Sequence, residues 1–189
     1  MALDTKVVAA LAEHLENAEL KAKDVTKITD DHPEMDWDDA YAIQDEIRRR
    51  KESRGSKIVG LKAGLTSFAK MKQMGVATPV FGFVADNTSS SRFVVGGRMR
   101  HLSDLDLSTL GVVLEKNGEI VTMAAGAAVL GNPLAAVAML ANHLAGRDQE
   151  IPAGTLIMTG GVTEAIPVTA GDNVSSRFQD LGTVSIRFV

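Results

Sequence analysis

Lys62 is the residue whose type and setting most invite chemistry. It lies in IVGLKAGL, residues 58–65, among apolar and small neighbours. An ammonium partly stripped of water in such a setting can anchor a carboxylate, or do acid–base work if its pKa is depressed. The competing reading is a strand-end lysine whose stem reaches out to water. Gly60, Gly64, Gly160 and Gly161 either let a ligand approach the backbone or serve turns. The four histidines, at 14, 32, 101 and 143, show no metal-ligand spacing. There is no G-x-S-x-G elbow, no P-loop and no G-x-G-x-x-G opening a helix. With no cysteine in the chain, disulfides, thiolate chemistry and sulfur-bound zinc are excluded.

The elements that must position Lys62 fall into two unlike parts. Residues 4–22 read as a helix, with Val7, Val8, Leu11, Leu15 and Leu20 near one face. A second helix starts at Asp36 as N-cap, with Asp38 and Asp39 in the first turn. Arg48, Arg49, Arg50 and Lys51 suit its C-terminal end, and Gly55 closes it. KIVGLKAGLTS, residues 57–67, predicts a buried strand and a turn. SFAKMKQMG, residues 67–75, predicts a short helix capped by Ser67.

From residue 111 onward the pattern is mostly β. Asn117-Gly118 between two apolar runs predicts a two-residue hairpin. Pro133 opens a helix to about residue 146, with Leu134, Val137, Leu140, Ala141 and Leu144 as its buried stripe. TLIMTGG reads as a strand ending in a glycine pair, and Asp180-Leu181-Gly182 as the turn between the last two strands. No repeat, heptad array or low-complexity linker interrupts the chain.

The 189 residues allow one well-packed domain, or a domain with a small appendage. A net charge of −4 argues against a general polyanion binder. The run RRRKESR is read as a solvated helix end rather than a nucleic-acid patch. The acidic residues Asp4, Glu13, Glu16 and Glu19 do not suit a secretory signal, and no apolar run approaches the roughly 20 residues that span a bilayer. A cytoplasmic protein, with neither nucleic acid nor membrane as a partner, is expected.

Two long stretches carry a family resemblance. Residues 12–76, which include EIRRRKESRGSKIVGLKAGLTSFAKMKQMG, and residues 108–189, which begin STLGVVLEKNGEIV, resemble the 4-oxalocrotonate (2-oxo-3-hexenedioate) decarboxylases. These belong, with the vinylpyruvate hydratases, to the hydratase/decarboxylase group of the fumarylacetoacetate hydrolase superfamily. The long N-terminal match favours decarboxylase over hydratase. The implied fold is α+β, an N-terminal helical part packed on a distorted, mostly antiparallel β-core. The implied layout is an N-terminal α/β part over 1–80, a deletion junction over 81–93 and a β-rich part over 94–189. In FGFVADNTSSSRF, residues 81–93, two segments that the family keeps far apart are fused at Ala85-Asp86. On a family-sized expectation, roughly a quarter to a third of the chain is missing there.

The resemblance also implies chemistry. The family uses Mg²⁺ or Mn²⁺, held by a Glu-x-Glu pair and a later Glu within the absent segment, so no metal ligand is assigned in this chain. Between Val76 and Leu114 there is no glutamate, and Glu115 and Glu119 belong to the matched second part. Asp104 and Asp106 are weighed as replacement ligands against a solvated loop edge. Lys62 corresponds to the family's active-site lysine, which holds substrate or supplies a proton. Asp86, standing where the family has two distinct aspartates, is assigned as catalytic by the resemblance, and Ser89 matches a serine reaching the substrate carboxylate. Thr159 and Gly160 match the strand end beside the substrate. The implied activity is decarboxylation of 2-oxo-3-hexenedioate to 2-hydroxypenta-2,4-dienoate in the meta-cleavage catabolism of aromatic compounds. The implied partners are the dicarboxylic oxo-acid, vinylpyruvate hydratase and further subunits of a homo- or hetero-oligomer. The alternatives are an inactive remnant or partner subunit of the hydratase, and a hydratase-like activity. The absent segment should leave apolar core surface uncovered, which favours oligomerisation or poor solubility.

Overall fold

A computed structural model describes residues 2–64, 66, 72 and 92–189. They divide into two compact units, the first within Met1–Val59, the second containing Gly60 and its neighbours together with Arg92–Val189. The strand that carries Lys62 thus belongs with the C-terminal β-rich part. The short helix expected over 67–75, apart from Lys72, lies outside the described residues.

The first unit is helical. Helix α1 spans Thr5–Leu20, α2 Ile28–Asp31 and α3 Trp37–Ser53. Asp4 caps α1, its Oδ1 accepting the amide of Lys6 at 2.6 Å. Asp36 caps α3 in a reciprocal box. Its Oδ1 accepts the Asp39 amide at 2.9 Å, while Asp39 Oδ2 accepts the Asp36 amide at 3.1 Å. The fully buried Asp39 also receives the amides of Ala2 and Leu3, tying the start of the chain to the start of α3. At the far end Gly55 takes a φ of +89° and donates to Glu52, while Ser56 donates to Lys51, a left-handed stop of the expected kind.

Val8, Ala12 and Leu15 of α1 pack with Ile28, Met35, Ala40 and Ile43 to form this unit's core. Leu20, expected in the stripe, is 63% exposed because the stripe ends with Leu15 and the last turn of α1 leaves the core. The basic run is used within the unit. Arg48 pairs with Asp45, Arg49 with Glu46, Arg50 with Glu16 and Lys51 with Glu19.

Among its described residues the second unit holds two sheets. Strands β2 (Gly111–Lys116), β3 (Glu119–Ala125), β5 (Asn173–Phe178) and β6 (Gly182–Arg187) form an antiparallel sheet in the order β3-β2-β5-β6. Asn117 and Gly118 turn β2 into β3 with φ of 55° and 87°, as a hairpin of the primed type requires. The Asn117 side chain also donates to Asp172 at 2.8 Å and accepts from the Asn173 amide, so the turn is fastened to the start of β5. Asp172 further receives the Lys116 ammonium at 2.9 Å and the Thr169 amide at 2.7 Å.

Strands β1 (Gly60–Lys62) and β4 (Leu156–Met158) form a separate parallel pair. The strand expected over 57–67 is therefore shorter, and Ile58 and Val59 are exposed. Its partner β4 offers only three residues to pair with, which sets its length. Helix α4 spans Pro133–Ala145, and Asn132 caps it by accepting the Leu134 amide. It turns Ala136, not Leu134, to the interior, where Ala136 packs with Ala63 and Val129. Two residues along a helix are about 200° apart, so burying Ala136 sends Leu134 outward.

Candidate active site

The site starts from the register of the parallel pair. Gly60, Leu61 and Lys62 stand opposite Leu156, Ile157 and Met158. Because the two strands run in the same direction, Lys62 and Thr159 emerge at the same end. The ladder is continued past its last strand residues by Ala63, whose amide donates to the Met158 carbonyl at 2.8 Å. Ala63 is buried against Val129 and Ala136, and Val162 packs on the same cluster. The backbone immediately after Lys62 is therefore anchored, while the Lys62 side chain remains half-buried.

Beyond Met158 the chain turns through Thr159 and Gly160. Gly160 has a φ of +125°, a conformation open to glycine and strained for other residues. A Cβ added there would lie 1.7 Å from Thr66 Oγ1. The Thr66 hydroxyl donates to the Thr159 carbonyl at 2.6 Å, and Thr66 is only 2% exposed. Lys62, Thr159 and Gly160 thus lie at the same end of this strand pair, with Thr66 bonded to the turn. Thr66 was not singled out in the sequence, where it reads as one more polar residue of a turn before Ser67. Asp86 and Ser89 lie outside the described residues.

Asp104 and Asp106 sit elsewhere, around a 3-10 turn over Leu102–Asp104. Asp106 accepts from the Thr109 hydroxyl and the Ser108 amide, both at 2.9 Å. The Thr109 hydrogen bond leads in holding its carboxyl below the usual carboxylate range. Asp106 is a turn cap. Among the described residues no three His, Asp or Glu side chains come together in a way that could hold a metal ion. The undescribed stretch adds one carboxylate in sequence, Asp86. Hard divalent cations take six or more oxygens, several of them carboxylate in a protein-built cage. The described donor set does not fit such an ion. Among the described residues no helix is long and apolar enough to cross a membrane.

One helical unit, and a second unit that holds a mostly antiparallel sheet and a lysine at the end of a short parallel pair, are the parts of a protein of the fumarylacetoacetate hydrolase type. No protein-family model matches the chain. It is 48% identical to the 4-oxalocrotonate decarboxylase of Pseudomonas putida, over 99% of this chain and 98% of the relative. Two solved structures of 4-oxalocrotonate decarboxylase from Pseudomonas putida G7 superpose on it with a TM-score of 0.92 at 47% and 46% identity, each covering 99% of both chains. One is complexed with calcium and acetate, the other with magnesium and adipate. A 2-keto-4-pentenoate hydratase of Burkholderia vietnamiensis is more distant, 26% identical over 98% of each chain. The chain belongs to the 4-oxalocrotonate decarboxylase family. The alignment to the Pseudomonas putida relative runs over 260 positions against 189 residues in this chain, so at least 71 positions have no residue here.

Proposed function

We propose that this chain serves the decarboxylation of 2-oxo-3-hexenedioate to 2-hydroxypenta-2,4-dienoate in cytoplasmic catabolism of aromatic compounds. The observation that carries the reading is Lys62, set beside Thr159 and Gly160 in a chain 48% identical to a 4-oxalocrotonate decarboxylase. In this reaction the bond to the terminal carboxyl breaks, carbon dioxide leaves, and the electron pair spreads through the diene onto the 2-oxo oxygen. A proton must then reach that oxygen to give the 2-hydroxy product. Lys62 has the charge to hold the anionic substrate or the proton to complete the step. The turn at Thr159 and Gly160, where no side chain projects from residue 160, leaves room for substrate against the backbone. Asp86 and Ser89 are assigned to the same site by correspondence with the family, as catalytic and carboxylate-binding residues respectively.

The calcium and magnesium of the Pseudomonas structures support a divalent cation as cofactor, with Mg²⁺ or Mn²⁺ the choice that the family resemblance implies. The described donor set favours a second reading, a non-catalytic partner subunit that docks on the vinylpyruvate hydratase. One assay separates the two. Carbon dioxide release from 2-oxo-3-hexenedioate is followed with excess Mg²⁺, with Mn²⁺ and with chelator. Release matched by 2-hydroxypenta-2,4-dienoate supports the decarboxylase. Folded protein that gives none under any of the three conditions, yet co-elutes with the hydratase, supports the partner subunit.

We also read residues 81–93 as the join at which the unmatched alignment positions are lost. The intact mass of the protein from its native host tests this. A value of 20.1 kDa supports the join, and a larger mass that includes the absent segment sinks it.

A further inference from the structure

We infer that Thr66 is a positioning residue whose buried hydroxyl holds the Thr159–Gly160 turn in register with the Lys62 strand. The inference rests on the decarboxylase reading of the site. Its physical ground is how little else among the described residues holds the two strands together. β1 and β4 have three residues each, pair in parallel and form a sheet of their own. Two-stranded pairs are marginal by themselves, and parallel ladders are slightly weaker per residue. The amide of Ala63 makes the last ladder bond, to Met158. Past it, the 2.6 Å bond from Thr66 Oγ1 to the Thr159 carbonyl ties the chain after Lys62 to the chain after Met158.

The fit is reciprocal. Thr66 is 2% exposed, and its hydroxyl fills the space that a side chain on residue 160 would need. Thr66 therefore excludes any residue but glycine at 160, and the glycine in turn permits the φ of +125° that presents the Thr159 carbonyl to the hydroxyl. A valine at 66 conserves shape but removes the donor. It would leave a part-buried carbonyl without this partner and free the turn to shift. Displacements of about 1 Å from a productive geometry can cost on the order of 100-fold in rate.

The test compares Thr66→Val and Thr66→Ser with the parent in three measurements: decarboxylation kinetics, adipate binding by calorimetry, and amide hydrogen exchange of residues 159–161. Expected for Thr66→Val are a kcat lower by about tenfold or more with a smaller change in KM, adipate affinity reduced by about fivefold, and faster exchange at 159–161. Thr66→Ser, which keeps the hydroxyl, should restore all three to within about twofold. Unchanged exchange and unchanged adipate affinity in folded Thr66→Val would overturn the inference. So would a Thr66→Ser variant as impaired as Thr66→Val, because then packing and not the hydrogen bond matters. If the parent chain does not decarboxylate, the functional reading fails separately, and the exchange comparison still decides the role of Thr66.

Discussion

Lys62 stands directly opposite Met158 in the parallel β1–β4 pair, one residue short of Thr159 on the neighbouring strand. That register, and not proximity in sequence, is what brings residues almost a hundred positions apart to one end of the strand pair. The Lys62 backbone is fixed by strand pairing and by buried Ala63 next to it, while its side chain is half-buried.

Lys62→Gln is therefore expected to lower kcat/KM for 2-oxo-3-hexenedioate by about 100-fold or more, the range for loss of a charged or proton-donating group at a reacting centre. The thermal transition should stay cooperative, because the strand pairing of residue 62 is made by its backbone. Steady-state kinetics together with a thermal melt check both halves. Full activity in the glutamine variant would remove Lys62 from the mechanism.

Gly160→Ala tests the turn itself. The new Cβ would meet Thr66 Oγ1 at 1.7 Å with φ held at +125°, so both the backbone and Thr66 must move. We expect a loss of about 1–3 kcal/mol in denaturant unfolding, the usual cost of overpacking and local backbone strain. The double variant Gly160→Ala with Thr66→Gly, which makes room, should recover part of it. An additive double variant would show that the two residues do not share this space.

Several parts of this architecture were legible in the residues because a single local interaction decides them. Asn117-Gly118 encodes a primed turn by its positive φ angles, Gly55 a left-handed helix stop, and Asp36 a cap. The failures have a common physical origin in partners far along the chain. The length of β1 is limited by β4, which lies almost a hundred residues away, and no local pattern near Ile58 announces that limit. In α4 nearly every position is apolar, so periodicity alone could not choose Ala136 over Leu134 as the inward residue. Asp39 read as a favourable charge in the first turn of α3, yet it is fully buried by accepting amides from three points of the chain. Thr66 escaped notice for a similar reason. Its acceptor, the Thr159 carbonyl, belongs to a distant strand end, and hydroxyls carry no sequence signature for such a bond.

Within the helical unit, buried Glu16 of α1 receives Arg50 at 2.6 Å and also pairs with Arg54. The hydrogen bond from Arg54, followed by that from Arg50, holds its carboxyl below the usual range despite burial. Glu16→Gln leaves two arginines without their shared counter-charge. Breaking such a pair is expected to cost about 1–3 kcal/mol, less than in a fully buried pair because both arginines are partly exposed. The loss should appear in far-UV melts, with Lys62-dependent chemistry unaffected at temperatures where the helical unit stays folded. No change in the melting curve would show that the Glu16 pairs add nothing net to stability.

Asp172 gives the sheet unit its own acid sensitivity. Its carboxylate gathers Lys116, Asn117 and Thr169 at the base of the β2–β3 hairpin, and Lys116 leads in pushing its pKa well down. A carboxyl depressed on folding contributes stability that is fully present above its unfolded pKa and is lost as pH falls through the folded value. With an ordinary value near 3.8 in the unfolded chain, that contribution is complete at neutral pH and declines below about pH 4. Asp172→Asn, which keeps the shape but not the charge, should melt at a lower temperature than the parent at pH 7. Below pH 4 the two melting temperatures should converge, because the parent then loses by protonation what the variant lacks throughout. Melting curves of both proteins from pH 7 to pH 2.5 provide the check. A gap that stays constant across the range would assign the role of Asp172 to its hydrogen-bond geometry and not to its charge.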